Sequence, residues 1–276
     1  MDDSARHEES FVRTFEAEPG GILVVRVDRG SISVHGTEAD RVEVTATLRL
    51  EADDPEQLRE LRERCKLDFD QSGRHVRVKA RTGRRRLFDW PGSHDTRIEL
   101  SFRIAVPRRF DLDLKTLAGG IRVDGIEGEV RTRTAAGSVA IGDVAGSVQA
   151  RTYAGSIQTG RIDGRVVASS WAGAIRVREV TGGIEANSKS GSVAAFLSGL
   201  PRGENRLSCL SGNVEVRLAE GIGLDLDADA RSGRVVLDFP MDGTGGTRRR
   251  TVQQSINGGG PRLVLRATAG NIHVKR

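Results

Sequence analysis

The chain is poor in what fills an ordinary globular core. Of its 276 residues only two are cysteine, two tryptophan, one tyrosine and seven proline, and aromatics make up 4%. Cys65 and Cys209 stand far apart without metal-type spacing, which excludes a disulfide framework and a zinc knuckle and leaves two reduced thiols as the expectation. No stretch approaches the roughly 18 apolar residues of a membrane span, and no apolar leader follows Met1-Asp2-Asp3-Ser4. A cytoplasmic location is therefore expected, with peripheral membrane association left open. The chain also lacks a Gly-Lys-Ser/Thr phosphate loop and a Gly-x-Gly-x-x-Gly between strand and helix. None of His7, His35, His75, His94 and His273 sits in a His-x-x-His or Cys-x-x-Cys context. We therefore expect no catalytic residues, no cofactor and no metal, and no enzyme.

What the chain has in quantity is glycine, and the glycines are periodic. Gly119, Gly137, Gly155, Gly173 and Gly191 are each 18 residues from the last, and Gly128, Gly146, Gly164 and Gly182 run 9 residues out of phase. A fixed period marks units that bury their apolar faces by stacking on one another. Aligning the units produces an aliphatic column (Ile121, Val139, Ile157, Ile175, Val193) and another at Ile126, Val144, Ile162 and Val180. A third holds Val130, Val148, Val166 and Ile184, followed by the small residues Thr132, Ala150, Ala168, Ala186 and then Thr134, Thr152, Ser170, Ser188. Within each half-unit apolar and polar positions alternate, as in half-buried strands. The reading is an all-β, parallel β-solenoid (β-helix) with about 18 residues per coil; a sandwich or barrel of short strands is the competing fold. Calcium-binding rolls share the half-period of 9, but their repeated aspartates are missing.

Weaker versions of the pattern recur at Gly30-Ser31-Ile32, Gly212-Asn213-Val214, Gly233-Arg234-Val235 and Gly270-Asn271-Ile272. One elongated domain over 19–276 is expected, behind a flexible segment 1–18. Two interruptions stand out. Residues 51–97 form a helix-containing excursion or cap, its helix near 53–66 marked by an Asp N-cap, Pro55 and the leucines 58 and 61. Residues 241–261 form a basic, glycine-rich loop.

The net charge is +5. The regular coils are nearly balanced, so the surplus lies in loops, at Arg84, Arg85 and Arg86 beside Trp90, and at Arg248, Arg249 and Arg250. Such clusters suit proteins or anionic surfaces as partners, although loop charges are more often merely solvated; nucleic acid is not expected. The register predicts a second surface: Tyr153 and Trp171 share a column with Lys189, beside a column holding Arg133 and Arg151. A corner of this kind suits a sugar ring or a peptide, or lies capped beneath the excursion. Asp225, Asp227 and Asp229 alternate along one strand and share a face, as do Asp111 and Asp113; paired carboxylates can do acid/base work, although a solvated face is the plainer account.

The unit Ala136-Gly137-Ser138-Val139 through Gly155-Ser156-Ile157, with Val106-Pro107 before it and Asn257-Gly258-Gly259-Gly260 near the end, resembles a bacterial "putative adhesin" family of β-strand-repeat domains of unknown function. The resemblance spans about residues 20–276 and implies a β-solenoid without known catalytic residues. Three functions stay open: a non-enzymatic binding or scaffold protein, a solenoid that self-associates end to end, and a carbohydrate-active β-helix enzyme.

Overall fold

A computed structural model describes residues 5–52, 54–83, 97–199, 205–238 and 250–276. The first part of the chain contains β1 (Ala5–Glu16), β2 (Gly21–Arg29), β3 (Ser31–Thr37), β4 (Arg41–Ala52), helix α1 (Pro55–Arg64), β5 (Lys66–Ser72), β6 (His75–Arg81) and β7 (Arg97–Pro107). The regular region follows: β8 (Phe110–Ala118), β9 (Ile121–Asp124), β10 (Ile126–Glu127), β11 (Val130–Ala136), β12 (Val139–Ile141), β13 (Val144–Ala145), β14 (Val148–Ala154), β15 (Ile157–Ile162), β16 (Val166–Ala172), β17 (Ile175–Val180), β18 (Ile184–Ser190) and β19 (Val193–Leu197). The last part holds β20 (Asn205–Ser211), β21 (Val214–Leu218), β22 (Leu224–Ala230), β23 (Val235–Leu237), β24 (Thr251–Ile256), β25 (Arg262–Ala269) and β26 (Ile272–Lys275).

These strands form two facing sheets, the one called sheet A here ordered β1-β4-β7-β3-β9-β12-β15-β17-β19-β21-β26-β23, and sheet B ordered β24-β22-β25-β20-β18-β16-β14-β11-β8-β2-β6-β5. The chain passes from a sheet B strand through a glycine corner to a sheet A strand, then returns, so that one coil adds a strand to each sheet. Pairing between coils is parallel: Val130 lies opposite Leu112 and Val148, and Val139 opposite Ile121 and Ile157. The column Ile121, Val139, Ile157, Ile175, Val193 and Val214 is at most 2% exposed throughout. Narrow coils leave room for aliphatic side chains and few rings, and this explains the low aromatic content; Phe102 and Phe110 are buried near the start of the stack.

The corners carry the tightest contacts. Gly119, Gly137, Gly155, Gly173 and Gly191 have φ between 141° and 156°. A β-carbon on Gly155 would lie 2.1 Å from the carbonyl oxygen of Gly137, and the same contact repeats one coil on between Gly173 and Gly155 at 2.0 Å. Each of these carbonyls also accepts a hydroxyl proton from the next coil: Thr134 donates to Gly119 at 3.1 Å, Thr152 to Gly137 at 2.9 Å, Ser170 to Gly155 at 3.0 Å and Ser188 to Gly173 at 2.9 Å. Cys209 occupies the same column and donates its thiol to Gly212 at 2.9 Å.

The stack is not in chain order at its ends. The first coil, β2–β3, lies between the β8–β9 coil and the later β6–β7 coil. The last coil, β25–β26, is likewise inserted between β20–β21 and β22–β23. Antiparallel strands flank both ends, with β1 on β4 and β4 on β7, β5 on β6, and β24 on β22. Three sequence expectations change here. Residues 5–16, expected within a flexible segment, pair as β1 with β4 along their whole length, because Phe11 and Phe15 pack against the core. Within 51–97, β6 joins the main parallel ladder as β2's partner. Residues 251–256, expected as loop, form β24. The helix begins at Asp54, whose carboxylate accepts the amides of Glu56 and Gln57, and it buries Leu61. Arg62 binds Glu9 on β1, fastening helix to strand, and its guanidinium holds the Glu9 carboxyl below its usual pKa.

Two measurements test this packing. Gly155→Ala should cost about 3 kcal/mol or more, since it adds both a disfavoured φ and an overlap with backbone that cannot retreat; chemical denaturation would read the loss. The second concerns Cys209, whose pKa burial pushes up from 9.0 to about 11. A raised folded-state pKa means the thiol contributes stability that is whole below pH 9.0 and is lost as pH rises toward about 11. The melting temperature should fall across that window, and fall less in Cys209→Ala.

Candidate functional site

Outward side chains stack in columns just as inward ones do, so the surface of sheet B consists of ladders. One runs Lys79, Arg26, Lys115, Arg133, Arg151, one residue per coil, through the registers β6–β2, β2–β8, β8–β11 and β11–β14. At about 4.8 Å per rung these five cations span roughly 19 Å. Arg26 is neutralised by Asp113 on β8. Lys115, Arg133 and Arg151 make no ion pair or side-chain hydrogen bond with any described residue. A parallel stack of unbalanced like charges is unfavourable by itself and is relieved by a bound anion.

Two residues further along each strand lies an apolar column at the corner. Leu117 is 50% exposed, Tyr153 57%, Trp171 47% and Leu210 53%, with Ala135 and Lys189 completing the file. Tyr153 and Trp171 stack with centroids 5.2 Å apart and planes inclined by 21°, and the Lys189 ammonium lies 3.5 Å from the Trp171 centroid. One face of Trp171 is therefore covered by Tyr153 and a cation sits over the ring. The structure thus brings together Tyr153, Trp171, Arg133 and Arg151 on one side of the molecule. Arg84, Arg85, Arg86 and Trp90, and with them Arg248 and Arg249, lie outside the described residues.

The aspartates considered for acid/base chemistry are engaged elsewhere. Asp227 is buried on the outer side of β22, held by Arg266 at 2.9 Å and by Arg262. Hydrogen bonds from Arg266 and then Arg262 outweigh the effect of burial and keep its carboxyl below the usual range. Asp225 accepts from the Ser255 hydroxyl at 2.6 Å, Asp229 from Thr251 at 3.3 Å, and Asp111 from the Glu129 amide at 2.7 Å. Among the described residues, no cluster of three or more His, Cys, Asp or Glu side chains converges as a metal site. Burial raises both thiol pKa values, at Cys65 and Cys209.

Sheet A carries a feature that the column reading of the sequence left as plain polar face. A groove of about 470 Å³ opens over Ala140, Gly142 and Gly160, with Arg122, Gln158, Arg176 and Arg178 around it. The missing signal is the coincidence of small residues in adjacent rungs with arginines above and below. It was available from the alignment of units, since Ala140 and Gln158, like Gly142 and Gly160, are 18 residues apart.

Among the described residues no helix is long and apolar enough to cross a membrane. No curated protein matches the chain. Among solved structures, a "putative adhesin" from Bacteroides fragilis is similar at 9% identity, covering 96% of this chain and 97% of its own, with a TM-score of 0.50. A "putative cell adhesion protein" from Clostridium sporogenes covers 97% of this chain and 99% of its own at 13% identity, with a TM-score of 0.29. At such identities only the fold of the former bears on this chain. Residues 22–275, from the first inserted coil almost to the last residue, match one family along their length, and the chain belongs to the Toastrack DUF4097 family.

Proposed function

We propose that the chain is a non-enzymatic β-solenoid of about 18 residues per coil that acts as a binding or scaffold protein, adhesin-like in its surface, and engages an anionic partner along sheet B. The observation that carries this reading is the file of three unpaired cations, Lys115, Arg133 and Arg151, beside the exposed Tyr153–Trp171 stack. Cations in a straight row attract a partner whose negative charges are also in a row, and the neighbouring apolar corner supplies contact area once it has docked. An acidic protein segment or an anionic surface meets both conditions.

End-to-end self-association is less well supported. The antiparallel strands β1, β5 and β24 interrupt, at three of the four sheet edges, the parallel pattern that a second copy would need to continue, and the fourth edge is the three-residue strand β23. The carbohydrate-active reading is weakened by Asp227, since a carboxylate gripped by two arginines has no proton to give at neutral pH.

Two outcomes are expected. Binding to polyglutamate, measured calorimetrically, should weaken with added salt and fall on the order of tenfold in Arg133→Ser/Arg151→Ser. Unchanged affinity in that double variant would remove sheet B from the interface. For Asp227, a depressed folded-state pKa implies stability that is complete above the unfolded value of 3.8 and disappears as acid protonates the group. Asp227→Asn should therefore cost about 1–2 kcal/mol at neutral pH, discounted for the exposure of Arg262, and flatten the acid limb of the stability profile.

A further inference from the structure

We infer that the groove on sheet A is a second binding site, independent of the sheet B face, and that it takes an acidic oligosaccharide. Its geometry follows from two adjacent outward columns. One runs Arg122, Ala140, Gln158, Arg176 through the registers β9–β12, β12–β15 and β15–β17. The other runs Asp124, Gly142, Gly160, Arg178. In both, the two middle rungs carry small or neutral side chains and the last rung carries an arginine. The groove is therefore made by omission: Ala140, Gly142 and Gly160 raise no long side chain of their own, and the arginines stand at its ends.

The charges are available. Arg122, Arg176 and Arg178 are exposed, and their guanidinium groups make no ion pair or hydrogen bond with any described residue. Two carboxylates lie against the floor, each tied to a backbone amide: Asp124, beside Gly142, accepts from the Asp143 amide at 3.1 Å, and Asp143, beside Gly160, accepts from the Arg161 amide at 3.1 Å. Guanidinium groups bind carboxylates and sulfates through paired hydrogen bonds, so each end is a ready anion clamp.

Three features select the ligand class. Arg122 and Arg176 lie three rungs apart, about 14 Å along the axis, too far for one small anion to bridge. Between them the floor offers the Ala140 methyl, the Gln158 amide and the bare backbone of Gly142 and Gly160, with the Asp124 and Asp143 carboxylates against those glycines; these C–H groups and acceptors match the C–H face and the hydroxyl donors of a sugar ring. An extended peptide fits worse: the groove lies on the face of a sheet whose backbone groups are spent in the ladder, and peptide strands dock by hydrogen bonding to a free edge. A saccharide with acidic substituents needs only side-chain partners, and this groove supplies them.

The test is an array of immobilised uronic-acid, sulfated and sialylated oligosaccharides, each beside its neutral counterpart, with titration of the best binder. Acidic members should bind and neutral ones should not. Arg122→Ser, Arg176→Ser and Arg178→Ser should each weaken the dissociation constant about tenfold. Ala140→Leu, which fills the floor and leaves every charge in place, should weaken it by a comparable factor. All four positions face outward, so an unchanged melting temperature will certify the fold. Arg133→Ser/Arg151→Ser should leave this binding intact, which separates it from the sheet B interaction. Equal binding of neutral and acidic glycans, no glycan binding at all, or affinity unaltered by the arginine variants and Ala140→Leu would overturn the inference, as would tighter binding of polyglutamate than of any saccharide when the sheet B face is disabled by Arg133→Ser/Arg151→Ser.

Discussion

The whole stack rests on one contact, the seating of each corner glycine on the carbonyl of the coil beneath it. At 2.0–2.4 Å from that oxygen no β-carbon can exist in the regular coils, so glycine is demanded by distance as much as by its positive φ. The carbonyl so covered accepts the hydroxyl of Thr134, Thr152, Ser170 or Ser188. A buried acceptor left unpaired would cost a large fraction of a marginal stability, and the hydroxyl ladder prevents that coil after coil. Register, corner geometry and hydrogen-bond satisfaction are one arrangement, repeated.

That arrangement persists where the sequence period fails. The glycine file continues in space through Gly212, Gly270 and Gly233, each one's absent β-carbon facing the carbonyl of the one before. Coil order and chain order part company there, and the charges suggest why. The aspartates of β22 face Arg262 and Arg266 of β25, so the inserted strand neutralises the acidic outer coil. At the other end β2 sits between β6 and β8, with Arg26 held by Asp113. Inserting the terminal coils places both ends of the repeat inside the ladder and leaves the β6–β7 and β22–β23 coils outside it, edged by the antiparallel strands β4, β1, β5 and β24.

The same arithmetic builds the surface. A residue choice at one outward position is repeated every few ångströms, so small biases in composition become continuous files: cations on sheet B, large apolar side chains at the corner, small residues framed by arginine on sheet A. Inward columns have to fit one another and converge on Val, Ile and Ala. Outward columns carry no such demand, which leaves them free to present charge and aromatic area to partners. Exceptions inside the core are visible: the buried hydroxyls of Thr132 and Thr159 have no partner, and nothing in the packing explains them.

The amino-acid sequence by itself determined the repeat, the inward and outward assignment of its columns, the helix with its Asp cap, and the neighbouring of Tyr153 with Trp171 and of Arg133 with Arg151. It could do so because stacking converts a spacing along the chain directly into a contact. Only the tertiary structure decided what depends on contacts between unlike segments. Residues 5–16 became a strand because β4 offered an edge and the core accepted Phe11 and Phe15. The terminal coils found their places by pairing with strands far away in the chain, and no spacing encodes that choice. The sheet A groove likewise exists only once small residues from successive coils lie side by side, since a void is a property of neighbours and not of any one residue.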